Sequence, residues 1–203
     1  MENVNDLIEN AKIQARNGDY AEAVRILSSQ RANEIGSDED KAEIILFRAS
    51  ARRNINDVKT AMEDYTAVLG LTHASHKQRS EAMHSRGRCK EYTGDHKGAF
   101  SDYTAILNSP IAPAEFKARA LISRAGCRLE MGDAPGELAD LNEVLQMHDA
   151  PDEQKALALF NRGYASHNSN PQQAAADYRG VLAMNVSDRV KELAANYLAS
   201  LGV

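Results

Sequence analysis

Apolar and polar positions follow a helical period along most of the chain. Small or apolar residues recur at this spacing on both sides of a polar turn, as in Ile44, Ile45, Phe47, Ala49 and Ala51 and then Val58, Ala61, Tyr65, Val68 and Leu69. Recurrence every three to four residues is typical of amphipathic helices. Two such runs joined by a polar turn predict a helical hairpin.

Two markers return along the chain every 38 residues. The first is an arginine, at Arg48, Arg86, Arg124 and Arg162, and the second is a turn, at Gly18-Asp19, Asn56-Asp57, Gly94-Asp95 and Gly132-Asp133, with Asn170-Pro171 at the next place. A fixed period of this length indicates an array of supersecondary repeats. We predict a single array over residues 1–203, with repeats at roughly 3–36, 37–74, 75–112, 113–150 and 151–186 and a capping helix over 187–203.

The turn residues predict where the helices begin and end. Gly or Asn suits the left-handed residue that ends a helix, and the following Asp suits the N-cap of the next. First helices are predicted at about 3–17, 38–54, 75–92, 113–130 and 152–168. The last repeat is one residue shorter between Arg162 and Asp177, so Asn170 is predicted as its cap and Pro171 as the first helical residue.

The pattern resembles the tetratricopeptide repeat (TPR) family. In the third repeat it consists of Arg86-Gly87, Gly94-Asp95, Ala99 and Tyr103, whereas the fourth repeat departs with Glu137 at the small position and Leu141 at the aromatic one. Family repeats have about 34 residues, so we place the surplus residues between hairpins. The resemblance implies an all-α fold, a right-handed α-solenoid of stacked antiparallel helix hairpins with a TPR-like superhelix.

Composition agrees with a helical protein that is not built to coat nucleic acid. The chain has 32 alanines, no tryptophan and a formal net charge of -5, and nucleic-acid binding depends largely on cationic contacts to phosphate. No stretch approaches the ~18 apolar residues that span a bilayer, so we expect a soluble protein without membrane contact. Cys89 and Cys127 are one period apart and suggest reduced core thiols of a cytoplasmic protein.

Each repeated arginine has an aspartate at a matching position of the second helix. The predicted pairs are Arg48 with Asp64, Arg86 with Asp102, Arg124 with Asp140, and Arg162 with Asp177. We interpret them as structural bridges inside each repeat, since catalysis needs one asymmetric constellation and not four copies of a pair. Arg52, Lys90 and Arg128 also recur at one position, where we expect their stems to cover apolar surface.

No motif in the sequence indicates an enzyme. Phosphate-binding glycine loops, nucleophile elbows and zinc-binding histidine pairs are absent from the sequence. The histidines lack acidic or cysteine partners at ligand-like spacing. We therefore expect no catalytic residues, no metal and no cofactor.

The TPR resemblance also implies a concave groove lined by the first helices, in which a partner peptide or helix binds. Mapped onto this chain, the groove positions are Phe47, His84, Arg88, Arg119, Ile122, Phe160, Asn161 and Tyr164. Ile122, Phe160 and Tyr164 would form an apolar floor suited to anchoring a partner. The alternative is that Ile122 and Phe160 pack under neighbouring helices.

Three classes of function remain open from the sequence. The first is a non-enzymatic scaffold or adaptor that binds a protein or peptide partner in the groove. The second is a self-assembly or regulatory segment, which would form a homo-oligomer or contact an attached domain. The third is an RNA-binding helical repeat, which the acidic net charge disfavours.

Overall fold

A computed structural model describes residues 4–29 and 36–202. The described residues form eleven α-helices, named here in chain order: α1 (Val4–Arg16), α2 (Tyr20–Leu27), α3 (Asp38–Asn54), α4 (Val58–Gly70), α5 (His76–Tyr92), α6 (His96–Leu107), α7 (Ala114–Glu130), α8 (Ala134–Gln146), α9 (Asp152–Ser166), α10 (Pro171–Ala183) and α11 (Asp188–Ser200). The described residues contain no β-strand. The fold is all-α, as the sequence predicts.

The first helices of the hairpins are α1, α3, α5, α7 and α9. Their ends agree with the predicted ranges to within two residues. The predicted start of the first helix at residue 3 and the end of the first repeat near residues 30–35 lie outside the described residues. The capping helix predicted over 187–203 is α11.

Each hairpin turn has the backbone that its sequence predicts. Gly18, Gly94 and Gly132 have φ between 77° and 84°, and Asn56 has φ of 63°, the left-handed region that ends a helix. The next residue, an aspartate in the first four turns, accepts a hydrogen bond from the backbone amide three residues later. In the last turn Asn170 caps α10 in the same way and Pro171 is its first residue.

The chain divides into two compact units, Met1–Pro113 and Ala114–Val203. The division falls within a residue of the predicted boundary between the third and fourth repeats. In the first unit α1 pairs with α2, α3 with α4, and α5 with α6. In the second unit α7 pairs with α8 and α9 with α10, while α11 packs on both α9 and α10.

Small residues and single tyrosines fill the interior of each unit. Ala61 and Tyr65 lie in the core of the first unit, and Ala174 and Tyr178 occupy the matching places in the second. Gly87 lets Tyr103 approach, because a Cβ on Gly87 would lie 2.6 Å from the tyrosine Cε1. The helices of a hairpin therefore pack closely wherever glycine faces tyrosine.

Candidate functional site

The four repeated arginines meet their aspartates in the same bidentate geometry. Nε and Nη2 of each arginine donate to the two carboxylate oxygens at 3.0 and 2.7 Å for Arg48–Asp64, 2.9 and 2.7 Å for Arg86–Asp102, 2.9 and 2.6 Å for Arg124–Asp140, and 2.9 and 2.6 Å for Arg162–Asp177. All four aspartates are buried. Arg162 also donates to Asn142 of the preceding hairpin at 2.7 Å, so the pair connects neighbouring helices as well.

Three of these aspartates bind a second cation. The distances are 2.5 Å from Arg52 to Asp64, 2.9 Å from Lys90 to Asp102, and 2.9 Å from Arg128 to Asp140. In the last repeat Gln173 donates to Asp177 at 3.0 Å instead. The expected role of Arg52, Lys90 and Arg128, covering apolar surface with their stems, is therefore incomplete, because their charged ends bind buried carboxylates.

The groove positions predicted in the first unit have three different environments. Phe47 is half-buried against the core formed by α1 and α2. Arg88 is exposed. His84 is only 4% exposed, and its ring centroid lies 5.6 Å from that of Tyr103. The prediction that His84 faces a partner is therefore wrong, because the ring packs into the hairpin interior.

In the second unit, Arg119 and Ile122 lie on α7 and are half-buried. The Arg119 guanidinium is 5.2 Å from the centroid of the Phe116 ring, and its Nη1 is 3.7 Å from Glu115 Oε1. Its contacts within α7 are thus a cation–π contact and a weak ion pair with its own helix neighbours.

The other three groove positions, Phe160, Asn161 and Tyr164, line one cavity in the second unit. The cavity has a volume of about 350 Å³ and lies among α7, α8, α9 and α11. Glu137, Leu141 and Tyr197 complete much of its wall. Tyr164 is 52% exposed, so part of its ring at this cavity is open to solvent.

The rings at this cavity support one another. The Tyr197 ring of α11 lies edge-on to Phe160 at 5.4 Å and to Tyr164 at 5.6 Å between centroids. The Phe160 ring also contacts Tyr178 at 5.8 Å. Edge-to-face pairs at these distances are favourable. Phe160 therefore packs on its neighbours, as the alternative interpretation of its sequence position expects, and it also lines the cavity.

Solved structures resemble the arrangement of these helices. Residues 41 to the end of MamA from Desulfovibrio magneticus RS-1 match with a TM-score of 0.65 at 18% identity, over 88% of this chain and 93% of the other. The C-terminal part of a TPR repeat-containing protein from Cytophaga hutchinsonii matches with a TM-score of 0.65 at 16% identity, over 96% and 77%. The chain has the TPR fold.

A third TPR-like match is to a larger assembly. The hetero-tetramer of the APC/C proteins Cut9 and Hcn1 gives a TM-score of 0.68 at 13% identity, over 98% of this chain and 36% of the other. No protein-family model and no curated protein sequence matches the chain. Likeness at such identities establishes the fold, whereas function depends on the residues of the site.

The fourth repeat differs from the others at the cavity. The small-residue position holds Ala23, Ala61, Ala99 and Ala174 in the other repeats, all fully buried, but it holds Glu137 in the fourth. Burial raises the pKa of the Glu137 carboxyl above its ordinary value. Glu137 and Tyr197 were not among the predicted site residues, although a charged residue at a small-residue position was a usable signal.

A second cavity, of about 320 Å³, lies in the first unit between the turns of the second and third repeats. Arg53, Arg88 and Tyr92 contribute to its wall, together with Asn56 and Cys89. Tyr92 donates to Asn56 Oδ1 at 3.0 Å, and Cys89 is a buried free thiol. The predicted groove residue Arg88 thus lies at the wall of this cavity.

Residues 4–29 and 36–202 contain neither a metal-binding cluster nor a membrane-spanning helix. Within these residues, no cluster of three or more histidine, cysteine, aspartate or glutamate side chains is placed to hold a metal ion. No helix of the same residues is both long and apolar enough to cross a membrane.

Proposed function

We propose that this protein is a non-enzymatic interaction scaffold, which binds a peptide segment or helix of a partner protein at the cavity lined by Phe160, Asn161 and Tyr164. The observation that carries the proposal is the exposed Tyr164 ring beside an open cavity with aromatic walls. Concave, mostly apolar sites with a few polar groups are the usual form of a binding pocket.

The energetics of the cavity suit an anchoring contact. Buried aromatic side chains dominate the free energy of many interfaces, and truncation of such a residue commonly costs about 2 kcal/mol or more. Tyr164 and Tyr197 each combine an apolar ring with a hydroxyl group, so one end can be buried by a partner while the other stays hydrated. Because their rings already contact each other, little side-chain freedom remains to be lost on binding.

The polar groups of the cavity favour binding over catalysis. They are the Glu137 carboxyl, the Asn161 amide and the hydroxyls of Tyr164 and Tyr197. Nucleophilic catalysis requires a nucleophile held beside a base. Neither a cysteine nor a histidine lines this cavity in the described part of the chain.

The comparison with Cut9 supports a role in assembly. Cut9 is found with Hcn1 in a hetero-tetramer, and the fold it shares with this chain is the TPR fold. By analogy of fold, we infer that this chain also acts by holding another protein.

The proposal is tested by affinity capture from the source cell's lysate. Tyr164→Ala and the double variant Phe160→Ala/Tyr164→Ala should lose a partner that the wild-type protein captures, with helical circular dichroism verifying the fold. Tyr92→Ala is the matched control, since Tyr92 is an exposed tyrosine at the cavity of the first unit. Loss of the partner in Tyr92→Ala and its retention in Tyr164→Ala would move the site to that other cavity.

A further inference from the structure

Glu137 occupies a repeat position where the rest of the chain uses alanine. The four other repeats hold an alanine there with no exposed surface. Alanine at this place lets the two helices of a hairpin approach closely. A glutamate brings a charged group into the same buried environment, and nothing in the helix pairing requires it.

The Glu137 side chain is buried without a partner. The residue is 6% exposed, and within the described residues its carboxylate forms no ion pair and accepts no hydrogen bond. Two arginines of the same unit bind other groups: Arg128 binds Asp140 and the Gly136 carbonyl, and Arg162 binds Asp177. Because a buried carboxylate without a partner is costly, Glu137 is a site that a cation from outside would stabilise.

A leucine lies at the cavity beside Glu137, at a repeat position that holds tyrosine in three repeats and Leu27 in the first. The aromatic position of the hairpin is Tyr65, Tyr103 or Tyr178 in three other repeats, each fully buried, but it is Leu141 in this one. Leu141 lines the cavity, and Gly126 on α7 contributes no side chain to its wall. The same repeat therefore has both the unpaired carboxyl and the space to reach it.

The remaining walls suit a planar cation. Phe160, Tyr164 and Tyr197 present rings to the cavity and Asn161 presents an amide. Aromatic faces attract cations, and a guanidinium stacks on them more readily than an ammonium does. A guanidinium also carries five donors, enough to reach both the Glu137 carboxylate and the Asn161 carbonyl oxygen.

We propose that this cavity receives an arginine side chain of the bound partner segment, with the guanidinium paired to Glu137 and flanked by the rings of Tyr164 and Tyr197. The inference rests on the proposed function, since it names the anchor residue for the same site. One carboxylate and one amide provide too few oxygen ligands for a metal ion such as calcium, whereas they match one guanidinium.

An array of short synthetic peptides tests this inference with the full-length chain. Each randomised peptide is made in two forms, with arginine or with citrulline, its neutral isostere, at one fixed position. Wild-type protein should retain the best arginine peptides at least about tenfold more strongly than their citrulline forms, because removing one partner of a buried charge pair has a large effect. Glu137→Ala should retain both forms equally. It should fold, since alanine holds this position in the other repeats.

The outcomes separate this inference from the proposed function. Equal retention of arginine and citrulline forms by the wild-type protein, or an arginine preference that survives in folded Glu137→Ala, would overturn the arginine pocket. If Tyr164→Ala still abolishes peptide retention in that case, the protein-binding site itself stands. Retention by Tyr164→Ala equal to that of the wild-type protein, or no retention of any arginine peptide, would contradict both.

Discussion

Asp140 shows how single residues stabilise this fold. Its side chain is 2% exposed and accepts from Arg124 and Arg128. The spacing of the sequence predicts the first of these partners, because the arginine and the aspartate recur together. It does not predict that Arg128 also reaches Asp140, since that contact depends on how closely α7 approaches α8.

Removing the Asp140 charge should destabilise the protein. Asp140→Asn removes the buried carboxylate that Arg124 and Arg128 share, and breaking a buried pair of this kind costs about 3 kcal/mol. Urea unfolding followed by helical circular dichroism measures the change. The control is Glu9→Ala, which removes the exposed pair with Arg16, where the side chains are 53% and 71% exposed and the expected change is below about 1 kcal/mol. Equal effects of the two substitutions would contradict this role for Asp140.

Glu137 should make the stability of the protein depend on pH in a definite direction. Its folded-state pKa is raised above the ordinary value of 4.5 by burial, so its contribution to stability is fully present below that pH and is lost as the pH rises through the folded pKa. Glu137→Gln removes this loss, since glutamine does not ionise.

The variant Glu137→Gln should therefore be more stable than the wild-type protein at neutral pH, and the advantage should shrink as the pH falls towards 4.5. Urea unfolding of both proteins across this range measures the difference, which cancels the titration of all the other carboxyl groups they share. If the wild-type protein is instead more stable than Glu137→Gln at neutral pH, the folded state stabilises the ionised Glu137 carboxylate, and the prediction is wrong.

At the scale of helices, the sequence predicts the bounds of the first helices and the positions of the turns, because both depend on residues that are adjacent in the chain. A left-handed Gly or Asn and an Asp cap define each of the first four turns, and Asn170 caps the helix after the last one, without help from the rest of the chain. It is harder to predict which side chains of a helix line a cavity. His84 and Phe160 hold the same repeat position, and each ring contacts the tyrosine of its facing helix, at 5.6 and 5.8 Å between centroids. Phe160 also lines the cavity of the second unit, where it meets Tyr197 of α11.

Close packing between α5 and α6 should make Gly87 intolerant of substitution. Gly87→Ala would place Cβ 2.6 Å from Tyr103 Cε1, and overpacking of this kind costs about 1 to 3 kcal/mol. Gly70→Ala, at the end of α4, meets nothing within 4 Å and should be neutral or stabilising through helix propensity. Thermal unfolding of both variants provides the measurement. An unchanged melting temperature in Gly87→Ala would show that the tyrosine moves aside freely.

At the scale of the whole molecule, the fold could be predicted and the site only in part. The hairpins can be predicted from the sequence because the same spacing of apolar, turn and charged residues recurs in each repeat. The cavity lies where the fourth repeat departs from that pattern, at Glu137 and Leu141. Tyr197 of α11 contributes a further part of its wall. Such a site depends on packing between helices distant in the chain, which the spacing of residues does not encode.

The charge of the whole chain predicts that it does not retain RNA. The formal net charge is -5, and the recurring cations Arg52, Lys90 and Arg128 each bind a buried aspartate. These three side chains are therefore not available to displace counter-ions from a phosphate backbone. A filter-binding assay with single-stranded RNA at low salt should show no retention. Retention that disappears as salt is added would support the RNA-binding alternative.

The central claim is that Tyr164 and the cavity beside it bind a protein segment. The most direct test is the equilibrium affinity of a captured partner or selected peptide for the wild-type protein, Tyr164→Ala and Tyr92→Ala, measured by isothermal titration calorimetry. Loss of an anchoring aromatic commonly weakens binding about 30-fold or more, so we predict such a loss in Tyr164→Ala and no change in Tyr92→Ala. An unchanged affinity in folded Tyr164→Ala would contradict the account.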